Sequence, residues 1–191
     1  MLAQTLIFLI TTLGDLFVFA LLLRFILQYL RVPARNQLSQ FVVAVTDFIV
    51  RPARRVIPGL WGLDLATLVL AWLTSVVELW LVLQLQGYEI GAAVGVAFVA
   101  LAALAALHLL RLTLYILMFA IVLQAVLSWV NPHGPLAPLL AAITRPILRP
   151  FQRLVPTIAN VDLSPLLALI VCQLLLAVPL VWLEATVKRL L

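Results

Sequence analysis

The chain contains one short motif twice, as RPARRVIP at residues 51–58 and as RPFQRLVP at residues 149–156. In each copy five residues follow the motif, and then the pair Asp-Leu, at Asp64-Leu65 and at Asp162-Leu163. An amphipathic stretch precedes each copy, and an apolar stretch follows it. Self-similarity of this kind is the mark of a duplicated structural unit. The sequence therefore predicts one module that occurs twice in tandem.

The composition indicates an integral membrane protein. Of the 191 residues, 66% are apolar and only 10% are charged, which leaves too few polar groups to coat a globule in water. The net charge is +5, and most arginines lie between apolar stretches, where they set the orientation and meet anionic lipid headgroups. We therefore expect a multi-pass membrane protein and no nucleic-acid partner. The single cysteine, Cys172, excludes intrachain disulfides and cysteine-based metal clusters.

Two units cover most of the chain. The first, residues 1–88, consists of a transmembrane helix at about 2–30, an amphipathic loop at 31–63 and a second transmembrane helix at about 65–86. Both apolar runs exceed the roughly 20 residues that a helical span needs. In the loop, Asn36 is a plausible N-cap of a helix at the membrane surface, and proline residues are expected to interrupt that helix.

The second unit, residues 109–191, repeats this plan. Its transmembrane helices are predicted at about 109–130 and 163–183, on either side of an amphipathic loop at 131–162. The predicted fold is all-α, with a tandem duplication of a transmembrane helix, an amphipathic helix with its Arg-Pro loop, and a transmembrane helix. It thus has four core spans.

An apolar linker helix at residues 89–108 belongs to neither unit. If it were a fifth span, the two Arg-Pro loops would face opposite sides of the membrane. If it does not cross by itself, the repeats are parallel and both loops share one side. Both loops are rich in arginine, which favours the cytoplasmic side for each of them. We favour four core spans with both loops in the cytoplasm.

The duplicated pattern resembles the YggT family of bacterial membrane proteins. The resemblance rests on Leu-Ser-Trp-Val at 127–130, on PILRPFQRLVP at 146–156 and on Asp-Leu-Ser-Pro at 162–165. The chain departs from the family pattern at 157–161, which lack glycine, and at Gln152, which replaces a usual arginine.

The resemblance implies a location in the bacterial inner membrane, but it implies little about function. The family has no established reaction. Its bacterial members have been linked to osmotic-stress tolerance, and plastid relatives to the maturation of a b-type cytochrome.

The Arg-Pro segments are the first candidate site. In one interpretation their arginines hold phosphate headgroups, while the Asp that follows each motif copy caps the next helix with its carboxylate. In the other, each loop is a docking surface for a membrane protein partner or a second copy of the chain. The residues assigned to lipid or partner binding are Arg51, Arg54, Arg55, Arg145, Arg149 and Arg153, and those assigned to the motif's structure are Pro52, Pro58, Asp64, Pro150, Pro156 and Asp162.

Two acidic residues inside the apolar spans are the second candidate site. An ionisable group in hydrocarbon is costly unless it is paired or hydrated. Asp15 and Glu78 lie at similar distances from the first loop, so an antiparallel helix pair would place them at one depth. They are either a proton- or cation-linked site, or acids that are tied to neighbouring helices or lie near the far interface. Arg24 is half a turn out of phase with Asp15 and is expected to snorkel towards the basic side.

No pattern predicts catalysis, a metal or a cofactor. The sequence contains no P-loop, no G-x-S-x-G and no H-E-x-x-H. His133, in a Pro-Gly turn, and His108, beside Arg111, do not suggest a haem site. We therefore expect a non-enzymatic protein. The resemblance adds the expectation that it acts in osmotic or envelope-stress tolerance, or in membrane-complex assembly, through its basic cytosolic loops. The alternative is a small channel or transporter subunit that uses Asp15 and Glu78.

Overall fold

The protein is almost wholly helical along the part of the chain that the structure describes. The computed structural model describes residues 1–32, 36–59, 63–87, 94–131, 134, 136–154 and 162–189, with residues 94 and 154 described by their backbone only. The helices are α1 (Leu2–Tyr29), α2 (Gln37–Val56), α3 (Leu65–Leu85), α4 (Val94–Val130), α5 (Ala137–Leu154), α6 (Ser164–Leu175) and α7 (Val181–Lys188). A π-helical segment, Leu176–Leu180, joins α6 to α7 and contains Pro179, which has no N–H to donate.

Four helical stretches are long and apolar enough to cross a membrane, namely Leu2–Tyr29, Leu65–Leu85, Gly95–Val130 and Ser164–Lys188. The predicted all-α membrane fold is confirmed. The remaining helices, α2 and α5, are the amphipathic helices of the two repeats, and each connects two candidate spans.

Helix α4 joins the predicted linker to the span that follows it. It runs for 37 residues without interruption, which corresponds to about 55 Å. The hydrocarbon is roughly 30 Å thick, so α4 either lies tilted or extends past it. Because α4 is one helix, it forms a single candidate span.

Both amphipathic helices lie at the same end of the bundle. The side chain of Arg24, near the end of α1, bonds to α2. Close by, an apolar cavity is lined on one side by Ile26 and Leu30 of α1 and on the other by Ile143 and Ile147 of α5. The two repeats are therefore parallel in the structure, and α2 and α5 share one end of the molecule.

The core is concentrated between α1, α3 and α4. Val18 and Leu21 are fully buried there, and they belong to one apolar cluster with Ala71 of α3 and with Leu112 and Ile116 of α4. The first half of α1, through Leu16, is different, because most of its large apolar side chains are exposed. In a bilayer such side chains face lipid tails, which are as apolar as the side chains themselves. The exposed residues of this half are Leu2, Leu6, Phe8, Leu9, Leu13 and Leu16.

Local signals in the sequence define the ends of several helices. Asn36 is the N-cap of α2, and its side chain accepts a hydrogen bond from the Ser39 N–H at 2.7 Å. Helix α3 ends before Gly87, whose φ of +80° is the left-handed conformation that glycine adopts without strain. Contrary to the prediction, Pro52 does not stop α2. The helix continues through it to Val56 and ends just before Ile57 and Pro58.

The same correction applies to α5, which contains both Pro146 and Pro150. A proline inside a helix leaves the carbonyl four residues earlier without its usual donor. At a membrane surface, water can take that donor's place. Pro156 of the second motif copy lies outside the described residues.

Candidate functional site

Helix α2 presents three different faces. One face packs on the bundle and consists of Ser39, Val42, Thr46 and Val50. A second face is apolar but exposed, with Phe41 64% and Phe48 71% accessible. The third face carries exposed arginines near the C-terminal end of the helix. A helix with separate buried, apolar and basic faces is suited to the boundary between acyl chains and headgroups.

Helix α5 has the same inward packing. Its arginines are exposed, whereas Leu140, Ile143 and Thr144 are buried against the bundle. No ion pair holds these arginines within the described ranges of the chain, and the same is true of two arginines on α2. The five exposed arginines without an ion pair there are Arg51, Arg55, Arg145, Arg149 and Arg153.

Arg54 has a different role from the other arginines of its motif. Its Nη2 donates to Asp64 Oδ2 at 2.6 Å and also to Gln28 Oε1 at 3.0 Å. Asp64 is the N-cap of α3 and is buried; it accepts hydrogen bonds from the N–H and the hydroxyl of Thr67. Arg54 therefore ties the end of α2 to the start of α3 and to the end of α1.

The pKa of Asp64 reflects these contacts. Burial alone would raise it, but hydrogen bonds from Arg54 and Thr67 and the positive charge of Arg54 outweigh burial. The net result is a pKa below the ordinary value for aspartate. Asp64 is thus held as a carboxylate that both caps a helix and pairs with a cation.

The second repeat makes the equivalent contact without a charge on the donor. Gln152 occupies the place of Arg54, and its Nε2 donates to Asp162 Oδ2 at 3.0 Å. Asp162 lies one residue before the N-cap of α6 and accepts the N–H of Ser164 at 2.9 Å. Burial raises the pKa of Asp162, but the bonds from Ser164 and Gln152 lower it overall. In both repeats a side-chain hydrogen bond from the motif links a surface helix to the start of the span that follows.

A second pair of equivalent contacts was not predicted from the sequence. Arg24 is only 6% exposed, and it donates to Thr46 Oγ1 at 2.8 Å and to Asp47 Oδ1 at 3.0 Å. In the second repeat the hydroxyl of Thr144 donates to the side-chain oxygen of Gln124. Arg24 does point towards the end of the bundle where α2 and α5 lie, called the basic end below, as expected. Its guanidinium group, however, bonds to α2 and not to headgroups. These contacts join each surface helix to the span that precedes it.

The structure brings Asp15 and Glu78 together, and it adds a histidine that the sequence analysis had set aside. One ligand atom from each of Asp15, Glu78 and His108 lies within 4.8 Å of the other two. His108 Nε2 is 2.9 Å from Asp15 Oδ1. The three residues belong to α1, α3 and α4, and they lie in the candidate spans, away from the basic end.

Gly14 makes the approach of α1 to α3 possible at this cluster. A Cβ atom at this position would overlap the carboxylate of Glu78. Glu78 is 5% exposed, and its Oε2 is fully buried without a hydrogen-bond partner in the described part of the structure. The equivalent position in the second repeat is Leu176, where the π segment begins. The cluster therefore has no copy in the second repeat.

Comparison with known proteins agrees with the duplicated architecture. The family model described as CCB3/YggT matches residues 3–85 and 103–183, one segment for each repeat. The chain belongs to the CCB3/YggT family. The second match begins inside α4, so the first part of that helix lies outside both matched segments. No solved structure matches the chain.

Similar bacterial proteins cover nearly the whole chain. The uncharacterized protein PA0392 of Pseudomonas aeruginosa is 40% identical over 171 residues, which is 88% of this chain and 85% of the relative. The uncharacterized protein YggT of Escherichia coli is 33% identical over 86% of this chain and 83% of its own length. An uncharacterized protein of Vibrio alginolyticus is 34% identical over 87% of this chain and 88% of its own length. The family assignment made from the Arg-Pro motif is confirmed.

Proposed function

We propose that this YggT-family protein is a non-enzymatic factor of the bacterial inner membrane that binds anionic lipid through α2 and α5. On this proposal it supports osmotic or envelope-stress tolerance, or the assembly of a membrane complex, from the cytoplasmic surface. One observation carries the proposal: the two amphipathic helices, with their exposed arginines, lie at the same end of the bundle.

The exposed arginines and the exposed apolar side chains both favour binding to an anionic membrane surface. Each arginine near an anionic surface contributes about 1 kcal/mol of attraction. Phe41 and Phe48, which are exposed on α2, would enter the boundary between headgroups and acyl chains. Arg54 contributes less, because Asp64 already neutralises it. The lipid surface is therefore assigned to the five exposed arginines of α2 and α5 that have no ion pair in the described chain.

Lipid retention tests this proposal. The purified full-length protein is washed in neutral detergent, and the phosphatidylglycerol and cardiolipin that remain bound are measured by mass spectrometry. Changing Arg51, Arg55, Arg149 and Arg153 together to Gln should remove most of the bound anionic lipid. The same four positions changed to Lys keep the charge and should retain most of it.

Two outcomes would overturn the lipid assignment. One is unchanged retention in the Gln variant, which would point to a protein partner for the arginines. The other is equal loss in the Lys and Gln variants, because a charge-driven interaction cannot treat them alike. The single variant Arg54→Gln should lose much less lipid than the fourfold variant, since this arginine is occupied by Asp64.

A second candidate function is favoured by the convergence of Asp15, Glu78 and His108 between three spans. This is an ion- or proton-linked channel or transporter subunit. Proton and potassium flux into proteoliposomes should then fall in the double variant Asp15→Asn, Glu78→Gln. Full complementation of osmotic tolerance by that variant in a deletion strain would eliminate this function.

A further inference from the structure

We infer that Asp15, Glu78 and His108 form a binding site for a divalent transition-metal ion inside the membrane-spanning bundle. The inference goes beyond lipid binding at the basic end, and neither depends on the other. It rests on the convergence of three donor groups and on one buried atom of each group that has no hydrogen-bond partner among the described residues.

The geometry is that of three donor atoms gathered in one small region between the helices. The three ligand atoms lie within 4.8 Å of one another, and each comes from a different helix. His108 Nε2 and Asp15 Oδ1 are 2.9 Å apart, yet neither atom makes a hydrogen bond of acceptable angle with a described residue. Both atoms are buried. A cation bound by both atoms would stabilise a buried carboxylate oxygen and a buried imidazole nitrogen that lie this close without such a bond.

Glu78 is the observation that calls for a ligand. Its side chain is more than nine-tenths buried, and no hydrogen bond to its carboxyl group is found in the described part of the chain. A protonated carboxyl group would donate its hydrogen to a neighbour, and an ionised one would accept hydrogen bonds. A buried carboxylate that does neither is strongly destabilising. A bound cation removes this penalty.

The donor set indicates the class of ion. Two carboxylates and one imidazole suit zinc and other first-row transition metals, whereas Mg²⁺ and Ca²⁺ take oxygen ligands. The charges also balance. A divalent ion with two carboxylates and a neutral imidazole leaves no net charge in the hydrocarbon, where each uncompensated charge is costly.

Gly14 fits this assignment. It lets the backbone of α1 approach the carboxylate of Glu78 more closely than any larger residue would. A Gly14→Ala change would therefore displace Glu78 without altering any of the donor groups. Gly95, whose added Cβ would meet nothing within 4 Å, offers a matched control at the start of α4.

Metal binding by the full-length protein tests the inference. The protein is purified through a tag without histidine, stripped with a chelator and reconstituted in nanodiscs. It is then dialysed against Zn²⁺ or Co²⁺, and the bound metal is counted by mass spectrometry. The expected result is one ion per chain and a Co²⁺ absorption spectrum with nitrogen and oxygen ligands. Mg²⁺ in excess should not displace the ion.

Each ligand variant should weaken binding at least about tenfold, as even changes behind the ligands do in metal sites. The variants are Asp15→Asn, Glu78→Gln and His108→Gln, with Gly14→Ala as the geometric variant. His133→Gln, at the only other histidine of the chain, and Gly95→Ala should bind as the wild type does. Because Asp15→Asn and Glu78→Gln remove a carboxylate from the hydrocarbon, both variants should unfold at or above the temperature of the metal-free wild type. A loss of metal in a variant that unfolds at that temperature is then not due to misfolding.

Three results would overturn the metal site. They are the absence of stoichiometric metal in the wild type, unchanged affinity in all three ligand variants, and a loss of metal in His133→Gln alone. The first of these, together with proton flux that requires Glu78, would assign the cluster to protons instead. Lipid retention by the same variants is expected to be unchanged, so this test and the lipid test can fail separately.

Discussion

Positions 54 and 152 show how one contact persists when its charge is lost. Arg54 and Gln152 are equivalent in the two motif copies, and each donates to the aspartate that lies ten residues later. What the two contacts share is therefore the donated hydrogen bond and not the cation. The motif's fourth residue holds the surface helix to the next span, which leaves headgroup binding to its neighbours.

Replacing Arg54 and replacing Asp64, the two partners of this contact in the first repeat, should have unequal effects on stability. Arg54→Gln reproduces the second repeat, so it should lower the free energy of unfolding by about 1 kcal/mol or less. Asp64→Ala removes a helix cap and leaves Arg54 without its anion, so about 1–3 kcal/mol is expected. Chemical unfolding in detergent micelles measures both variants. A larger loss of unfolding free energy for Arg54→Gln than for Asp64→Ala would contradict the role assigned to the Arg54–Asp64 contact.

The pH dependence of stability follows from the lowered pKa of Asp64. When the folded-state pKa lies below the unfolded one, the unfolded chain binds protons first as the pH falls. The stabilisation from Asp64 is therefore fully present above the ordinary pKa of about 3.9 and is lost as the pH falls through the folded value. Asp64→Asn should be less stable than wild type near pH 7, and the difference should shrink below about pH 4. A difference that grows in acid would have the wrong sign.

At the scale of the helices, the predictions from sequence depended on local patterns and failed where contacts are long-range. The cap at Asn36 and the apolar spans are local signals, and they were predicted correctly. The prolines were wrongly predicted to stop the helices. In a surface helix, water can donate a hydrogen bond to the carbonyl that proline leaves without its usual donor. His108 has no repeat partner and no neighbouring motif. Only the packing of α4 against α1 and α3 brings it to the two acids.

Arg24 and Gln124 could have been found from the duplication itself. They are 100 residues apart, the same offset that relates the ends of the two first spans. Each is a polar residue within an otherwise apolar run. A polar position retained in both copies of a duplicated span indicates a shared contact, here with Thr46 and Thr144.

The two threonine contacts should differ in energy. Thr46→Val removes one of two partners from a buried guanidinium group, and about 1–3 kcal/mol of stability should be lost. Thr144→Val removes a bond between neutral groups, for which about 0.5–1.5 kcal/mol is expected. Thermal unfolding of both variants in one detergent allows direct comparison. Equal losses, or a larger loss for Thr144→Val, would show that Arg24 is not held by Thr46.

At the scale of the whole molecule, the single long helix α4 determines how the repeats relate to each other. Because α4 crosses once, it returns the chain to the side from which α3 started. Both arginine-rich helices then lie on one surface, in agreement with the preference of basic loops for the cytoplasm. The sequence alone left this open, because the length and composition of the 89–108 region were compatible with a separate fifth span.

The sidedness of α2 and α5 tests this account most directly. After Cys172→Ser, single cysteines are placed at Gln37 and Pro138, which are exposed near the starts of α2 and α5, and at Gln86, at the opposite end of α3. In intact spheroplasts a membrane-impermeant thiol reagent should label position 86 only. Positions 37 and 138 should be labelled once the membrane is opened. Labelling of either 37 or 138 without the other in intact spheroplasts would place the two basic helices on opposite surfaces and contradict the account.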